Sequence, residues 1–166
     1  MTSNLLTEQK SYWKSKLNGA LPVLSLPKDY PLNTDFRTPK KDRYYNFYLQ
    51  EELYFKIKQF TLKKKVSAFA FLIACFKVLL YRLTGEKDLI IGTPMANRNM
   101  EEVKDLIGFF VNTIMLRDNI DKDEPFQEFL KKVNITLVEG INNQSFPFEN
   151  ILEGINMARD NSTFPI

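Results

Sequence analysis

The spacing of apolar and polar positions changes period several times along the chain, and each change is marked by a helix cap, a proline or a glycine. Residues 7–17 carry Tyr12, Trp13 and Leu17 among lysines and close on Asn18-Gly19, which predicts a short amphipathic helix. Pro22, Pro27, Pro31 and Pro39 then predict an extended connector over residues 20–42. Residues 43–50 are rich in Tyr and Phe and read as a strand with Tyr45, Phe47 and Leu49 on one face. Leu53, Ile57 and Phe60 recur at helical spacing through residues 51–64, with acids at the start and lysines at the end to complement the helix dipole.

Ser67 reads as the cap of a second helix over residues 68–83, apolar nearly all round and therefore expected at the centre of the fold. Residues 84–88 are its exit turn. Leu89-Ile90-Ile91-Gly92 reads as a strand buried on both faces, followed by a polar loop over residues 93–99. A short helix near residues 101–105 precedes a second strand, residues 109–117, and then an acidic turn, residues 118–124. Pro125 opens a helix reaching about Gly140, with Phe126, Phe129, Leu130, Val133 and Leu137 inward. Residues 143–148 form a loop before a last short helix, residues 149–155, and Phe164-Pro165-Ile166 reads as a strand about to begin, so the chain is expected to continue. There is no internal repeat. Alternating strands and helices predict an α/β layered unit, one domain or a large piece of one.

Composition changes the picture through one zero: the 166 residues include no histidine. Imidazole is the usual base near neutral pH, the usual partner of a Ser or Cys nucleophile and a common metal ligand. Triad hydrolysis and His-based zinc chemistry are therefore excluded for this polypeptide acting alone. A 44% apolar content with 14 Phe and 7 Tyr supplies a packed core. The net charge of +3, with both signs interspersed, is too balanced for a nucleic-acid or membrane partner. The lysines of residues 51–65 accordingly read as a solvated helix face.

The single cysteine, Cys75, lies in the most apolar stretch and reads as a small hydrophobe, since no histidine is present to deprotonate it. No signal peptide is visible, and the most apolar run is broken by Lys77 and Arg82 well short of the ~20 residues a membrane span needs. A cytoplasmic location is expected. The acidic turn with Asp118, Asp121, Asp123 and Glu124 lacks the glycine and distal Glu of a calcium loop, and Gly92 and Gly108 stand outside any phosphate-binding pattern, so neither metal nor nucleotide is expected. More informative is Asn112-Thr113 within an otherwise apolar strand. A buried amide must find partners. Either a cross-strand or bulge hydrogen bond satisfies it, or it lines a channel and orients a polar substrate.

At these residues the chain resembles a known family. Ile107-Gly108-Phe109-Phe110-Val111-Asn112-Thr113 followed by Arg117 resembles the fifth core motif of nonribosomal peptide synthetase condensation domains. Asn143-Gln144-Ser145-Phe146-Pro147-Phe148-Glu149 resembles the sixth, and Arg159-Asp160-Asn161-Ser162 with Pro165 the start of the seventh. Tyr12-Trp13 through Leu17, and Leu80 through Gly85 leading to Ile91-Gly92-Thr93-Pro94, resemble intervening segments. The sixth motif usually has Asp where Ser145 stands, and the seventh usually continues Arg-Asn where this chain has Thr163-Phe164.

The resemblance implies a chloramphenicol-acetyltransferase-like α/β fold, a mixed sheet packed by helices, of which residues 1–166 would be most of the second, C-terminal lobe, incomplete at both ends and without a second domain. The family's general-base motif, two histidines with Asp-Gly, belongs to the first lobe, so this chain is expected to be inactive alone. In the family, the amine of an acceptor aminoacyl thioester attacks a donor thioester, each carried on the phosphopantetheine arm of a carrier protein. The implied partners are the N-terminal lobe, donor and acceptor peptidyl carrier proteins and an adjacent adenylation domain; no cofactor is bound directly. Carried over by position, Asn112 and Thr113 would line the substrate tunnel and Arg117 would fix their strand. Arg98 would pair with the acid of the first-lobe motif, and Arg159, Asp160 and Ser162 would sit by the crossover to that lobe. The Phe-Phe-Val-Asn form resembles domains joining two L-configured units. The alternative from another class is a non-catalytic module that docks a carrier protein or another partner.

Overall fold

The structure is a computed structural model that describes residues 3–27, 46–98 and 101–154. The expected strand at residues 43–50 lies partly outside these segments. Its described part, residues 46–50, is irregular, and Phe47, Tyr48 and Leu49 are exposed. Aromatic content favours a pleated surface only where a neighbouring strand covers it.

Eight elements follow one another: α1 (Ser3–Lys16), α2 (Glu51–Lys64), α3 (Ala68–Thr84), β1 (Asp88–Met95), α4 (Glu101–Lys104), β2 (Asn112–Asn119), α5 (Phe126–Asn142) and α6 (Phe148–Gly154). Among the described residues β1 and β2 form one antiparallel two-stranded sheet, with Asp88 opposite Asn119 and Met95 opposite Asn112. Both strands depart from their expected limits. β1 runs through Thr93, Pro94 and Met95, which the sequence pattern assigns to a loop, while β2 begins only at Asn112 and takes in Asp118 and Asn119 from the expected acidic turn. Pro94 is tolerated because a strand with a neighbour on one side can leave its missing N–H on the other.

α3 is set by its caps. The Ser67 hydroxyl accepts the Ala70 N–H at 3.0 Å, and Gly85, with φ of 73°, closes the far end through its N–H to the Tyr81 carbonyl. α5 places Phe129, Leu130, Val133, Thr136, Leu137 and Gly140 on one buried face against β2 and α3. Gly140 matters by its absence of a side chain: a Cβ there would lie 3.1 Å from Cδ1 of Ile114, so the glycine lets helix and strand approach closely. Ile114, Met115 and Leu116 of β2 are fully buried, Ile114 and Leu116 against Gly140 of α5, each such side chain contributing roughly 1.5–3 kcal/mol relative to exposure.

Two expectations of complete burial need correction. In β1 only Leu89 of the four-residue run is buried; Ile90 and Ile91 are half-buried and Gly92 is exposed. In α3 one face, Ala70, Ala74, Lys77 and Leu80, is buried, whereas Phe69, Leu72, Phe76, Leu79 and Leu83 on the opposite face are exposed. Among the described residues no single helix is long and apolar enough to cross a membrane.

Candidate functional site

The polar residues that stand out in the sequence gather at the two ends of β2. At its start Asn112 reaches across to the loop before α6. Its Nδ2 donates to the carbonyls of Gln144 at 2.6 Å and Phe146 at 2.8 Å, and its Oδ1 accepts the Phe148 N–H at 3.1 Å. That last bond satisfies a backbone donor at the first turn of α6, the role a helix cap normally plays from within its own chain segment. Thr113 is half-buried next to it, opposite Pro94 across the sheet, and its Cγ2 lies 3.5 Å from where a side chain on Gly92 would begin. The segments 107–113 and 143–149, separated by some thirty residues of chain, are thereby one structural unit.

At the other end Arg117 holds three segments together. Its Nε donates to the Asp88 carboxylate at 3.0 and 3.1 Å and its Nη2 at 2.6 Å, a two-pronged pairing across the sheet. The same guanidinium donates to the carbonyls of Asn18 at 2.9 Å and Ala20 at 3.0 Å. A planar fork with five donors makes this possible where a lysine would not. Hydrogen bonding to Asp88 raises the arginine pKa further. The chain leaving α1 is thus fixed to the sheet, and α1 itself is seated by Trp13, whose indole N–H donates to the Asn143 carbonyl at 3.0 Å, and by Gln9, which donates to the Asn142 carbonyl at 3.2 Å.

Arg98 follows β1 and folds back over the turn after α4. Its guanidinium donates to the carbonyls of Val103 at 2.5 Å, Leu106 at 2.8 Å and Gly108 at 3.3 Å, and it stacks 4.4 Å from the Phe110 ring centroid. The loop so held projects Ile107 and Phe109, both almost wholly exposed, into solvent. Arg159, Asp160 and Ser162 lie outside the described residues.

Sequence reasoning missed the most buried polar side chain among the described residues. Lys77, in the middle of α3, has no exposed surface; its ammonium donates to the Leu116 carbonyl at 2.7 Å and pairs with the Asp118 carboxylate. Asp118 also accepts from the Thr136 hydroxyl at 2.6 Å, and Thr136 accepts from Lys16 at 3.1 Å. Burial pushes the Lys77 pKa down, with Asp118 opposing it. Removing one partner of such a pair costs about 3–5 kcal/mol. The signal in the sequence was a lone lysine in an apolar helix, a residue that stays buried only with a partner.

The remaining acids of the expected turn act locally: Asp121 accepts the Asp123 N–H at 3.1 Å and Glu124 pairs with Lys132 at 2.7 Å. Burial raises the Cys75 thiol, which keeps it protonated at neutral pH. The polar groups around β2 therefore bind the protein's own backbone and one another, an arrangement that fixes a surface and does not by itself move protons.

The comparisons agree on one family. Residues 1–166 match the family profile described as Condensation domain. A linear gramicidin synthase of Brevibacillus parabrevis is 37% identical over 166 residues, all of this chain and 3% of that protein. Bacitracin synthase 3 of Bacillus licheniformis is 34% identical over 161 residues, 97% of this chain and 2% of that protein. Among solved structures, holo-AB3403, a four-domain nonribosomal peptide synthetase, superposes with a TM-score of 0.89 at 28% identity, over 99% of this chain and 12% of that one. The condensation domain from the Monacolin K polyketide synthase MokA gives 0.76 at 26% identity, over 94% of this chain and 37% of that one. The chain thus spans a small part of each protein it matches. Its architecture, a small sheet packed by helices, is the chloramphenicol-acetyltransferase-like fold that the resemblance implied.

Proposed function

The chain belongs to the condensation-domain family of nonribosomal peptide synthetases, and from that premise we propose that it is part of a domain that joins two carrier-bound thioesters through an amide bond. In that reaction the acceptor amine attacks the donor thioester carbonyl, the carbon–sulfur bond breaks, and the donor arm leaves as a thiol once the amine's proton is removed. A chain without histidine does not supply the family's base, so it works together with the lobe that carries it. In this reading the partners are that N-terminal lobe, the donor and acceptor carrier proteins whose phosphopantetheine arms bring the substrates, and an adjacent adenylation domain.

The observation that carries this reading is the junction at Asn112. Three hydrogen bonds bring the Phe109-Phe110-Val111-Asn112-Thr113 run and the Asn143–Phe148 loop side by side, which are the two segments most like the family's fifth and sixth motifs. Thr113 and the backbone around Asn112 form the wall of the substrate tunnel, and Asn112 holds the neighbouring loop in line. Arg98 shapes the loop that faces the first lobe. The exposed apolar row of α3, with Ile107 and Phe109, is surface that the rest of the domain covers, since exposed patches of this kind mark interfaces.

The test is complementation. Adding the separately produced remainder of the domain to this chain should raise its melting temperature, because a partner that binds only the folded state stabilises it. An unchanged melting temperature at saturating partner would overturn the interface part of the reading.

A further inference from the structure

α3 presents a physical puzzle. Its fully buried positions are Ala70, Ala74, Lys77 and Leu80, flanked by Phe71, Ile73, Val78 and Tyr81, which pack half-buried against the core, while Phe69, Leu72, Phe76, Leu79 and Leu83 face outward. Burial free energy scales with apolar area, and large apolar side chains lie on both sides of this helix, so area alone discriminates weakly between one rotation about its axis and another. A helix apolar nearly all round also has no polar stripe to specify which side faces in. The contacts that distinguish the observed orientation are the polar ones of Lys77.

We infer that the buried Lys77–Asp118 pair is a rotational lock that fixes which face of α3 points outward. Lys77 is the single charged residue in the middle of the helix, and its ammonium has two built partners, the Leu116 carbonyl and the Asp118 carboxylate. Both belong to β2, and Asp118 is held in turn by Thr136 of α5. The lock thus draws on the strand and the helix that pack against α3. Any rotation large enough to bury the outer row leaves Asp118 without its cation in the core, which is costly. Ala70, on the same face as Lys77, shares the core cluster with Ile114, Met115 and Leu116 of β2. Buried polar groups that fix register in packed helices offer a general precedent.

The lock is tested by cysteine labelling in a Cys75→Ala background, with a single reporter introduced as Leu79→Cys on the outer face or Ala74→Cys on the inner one. With the pair intact, the position-79 thiol should react at least about tenfold faster than the position-74 thiol, because the latter requires local opening. The triple substitution Lys77→Met, Asp118→Leu and Thr136→Val removes the three buried polar groups together. Lys16, which donates to Thr136 in the wild type, keeps its pairing with Glu139, so the variant should still melt cooperatively, with the labelling ratio falling towards one. A ratio unchanged in the triple variant would show that apolar packing alone orients the helix. Loss of cooperative melting would show that the pair supplies stability and not orientation. Either result overturns the inference.

Discussion

The Oδ1 of Asn112 accepts the N–H of Phe148, 36 residues further along the chain, at 3.1 Å. One strand residue thereby caps a helix that begins two elements later. This is why the polar residue interrupting an apolar strand is tolerated there: the amide is satisfied by the loop beside it, with both amide hydrogens also engaged.

Replacing Asn112 with Ala leaves two carbonyls and one N–H without their partner and should cost about 2 kcal/mol in urea unfolding. Asn112→Asp keeps the acceptor for Phe148 but points an oxygen at the Gln144 and Phe146 carbonyls, so it should destabilise at least as much. Hydrogen exchange at the Phe148 amide separates the two variants: exchange accelerates in Asn112→Ala and stays slower in Asn112→Asp. Equal protection in wild type and Asn112→Ala would refute the capping role.

Arg117 ties the chain leaving α1 to Asp88 in β1. Arg117→Lys retains charge but not the fork, and should lower stability by about 1 kcal/mol, a modest figure because the pair is partly exposed. Trp13 is the single tryptophan, 1% exposed, and reports on α1 directly. Its emission should shift to the red at lower urea in Arg117→Lys than in wild type. Coincident transitions would show that the arginine does not hold α1.

Alkaline pH should loosen the same helix. Burial, reinforced by the Glu139 charge, raises the Tyr12 pKa well above its ordinary value of 10.0. A group whose pKa is raised on folding contributes stability that is complete below the unfolded value and is lost as pH climbs towards the folded one. Urea midpoints should therefore fall above about pH 10 in wild type, and fall less steeply in Tyr12→Phe. Parallel profiles would remove Tyr12 from the account.

What could be read from the sequence follows the range of each interaction. α2 matches its expected limits, and α5 and the Ser67 cap were legible because helix periodicity and capping act within a few residues. The strand expected at residues 43–50 rests on aromatic content and alternation, which favour a strand only within a sheet, and the described residues 46–50 are irregular. β1 runs past its expected end because Pro94 signals a loop only where both strand edges are paired. Asp118 resembles part of a solvated acidic turn, since the lysine that buries it lies 41 residues away on another element. Asn112 was recognisable as an anomaly, but its partners were not: three groups of the loop backbone leave no mark in side-chain identity. The site was legible as motif order, and its geometry required the fold.

The most direct test of the central claim is amide formation from loaded donor and acceptor carrier proteins, followed by the mass of the species on the acceptor arm. This chain alone should give no product, and the same chain combined with the histidine-bearing remainder of its domain should give the joined product. Product from the 166-residue chain alone, or none from the combination when both parts are shown to associate, would contradict the account.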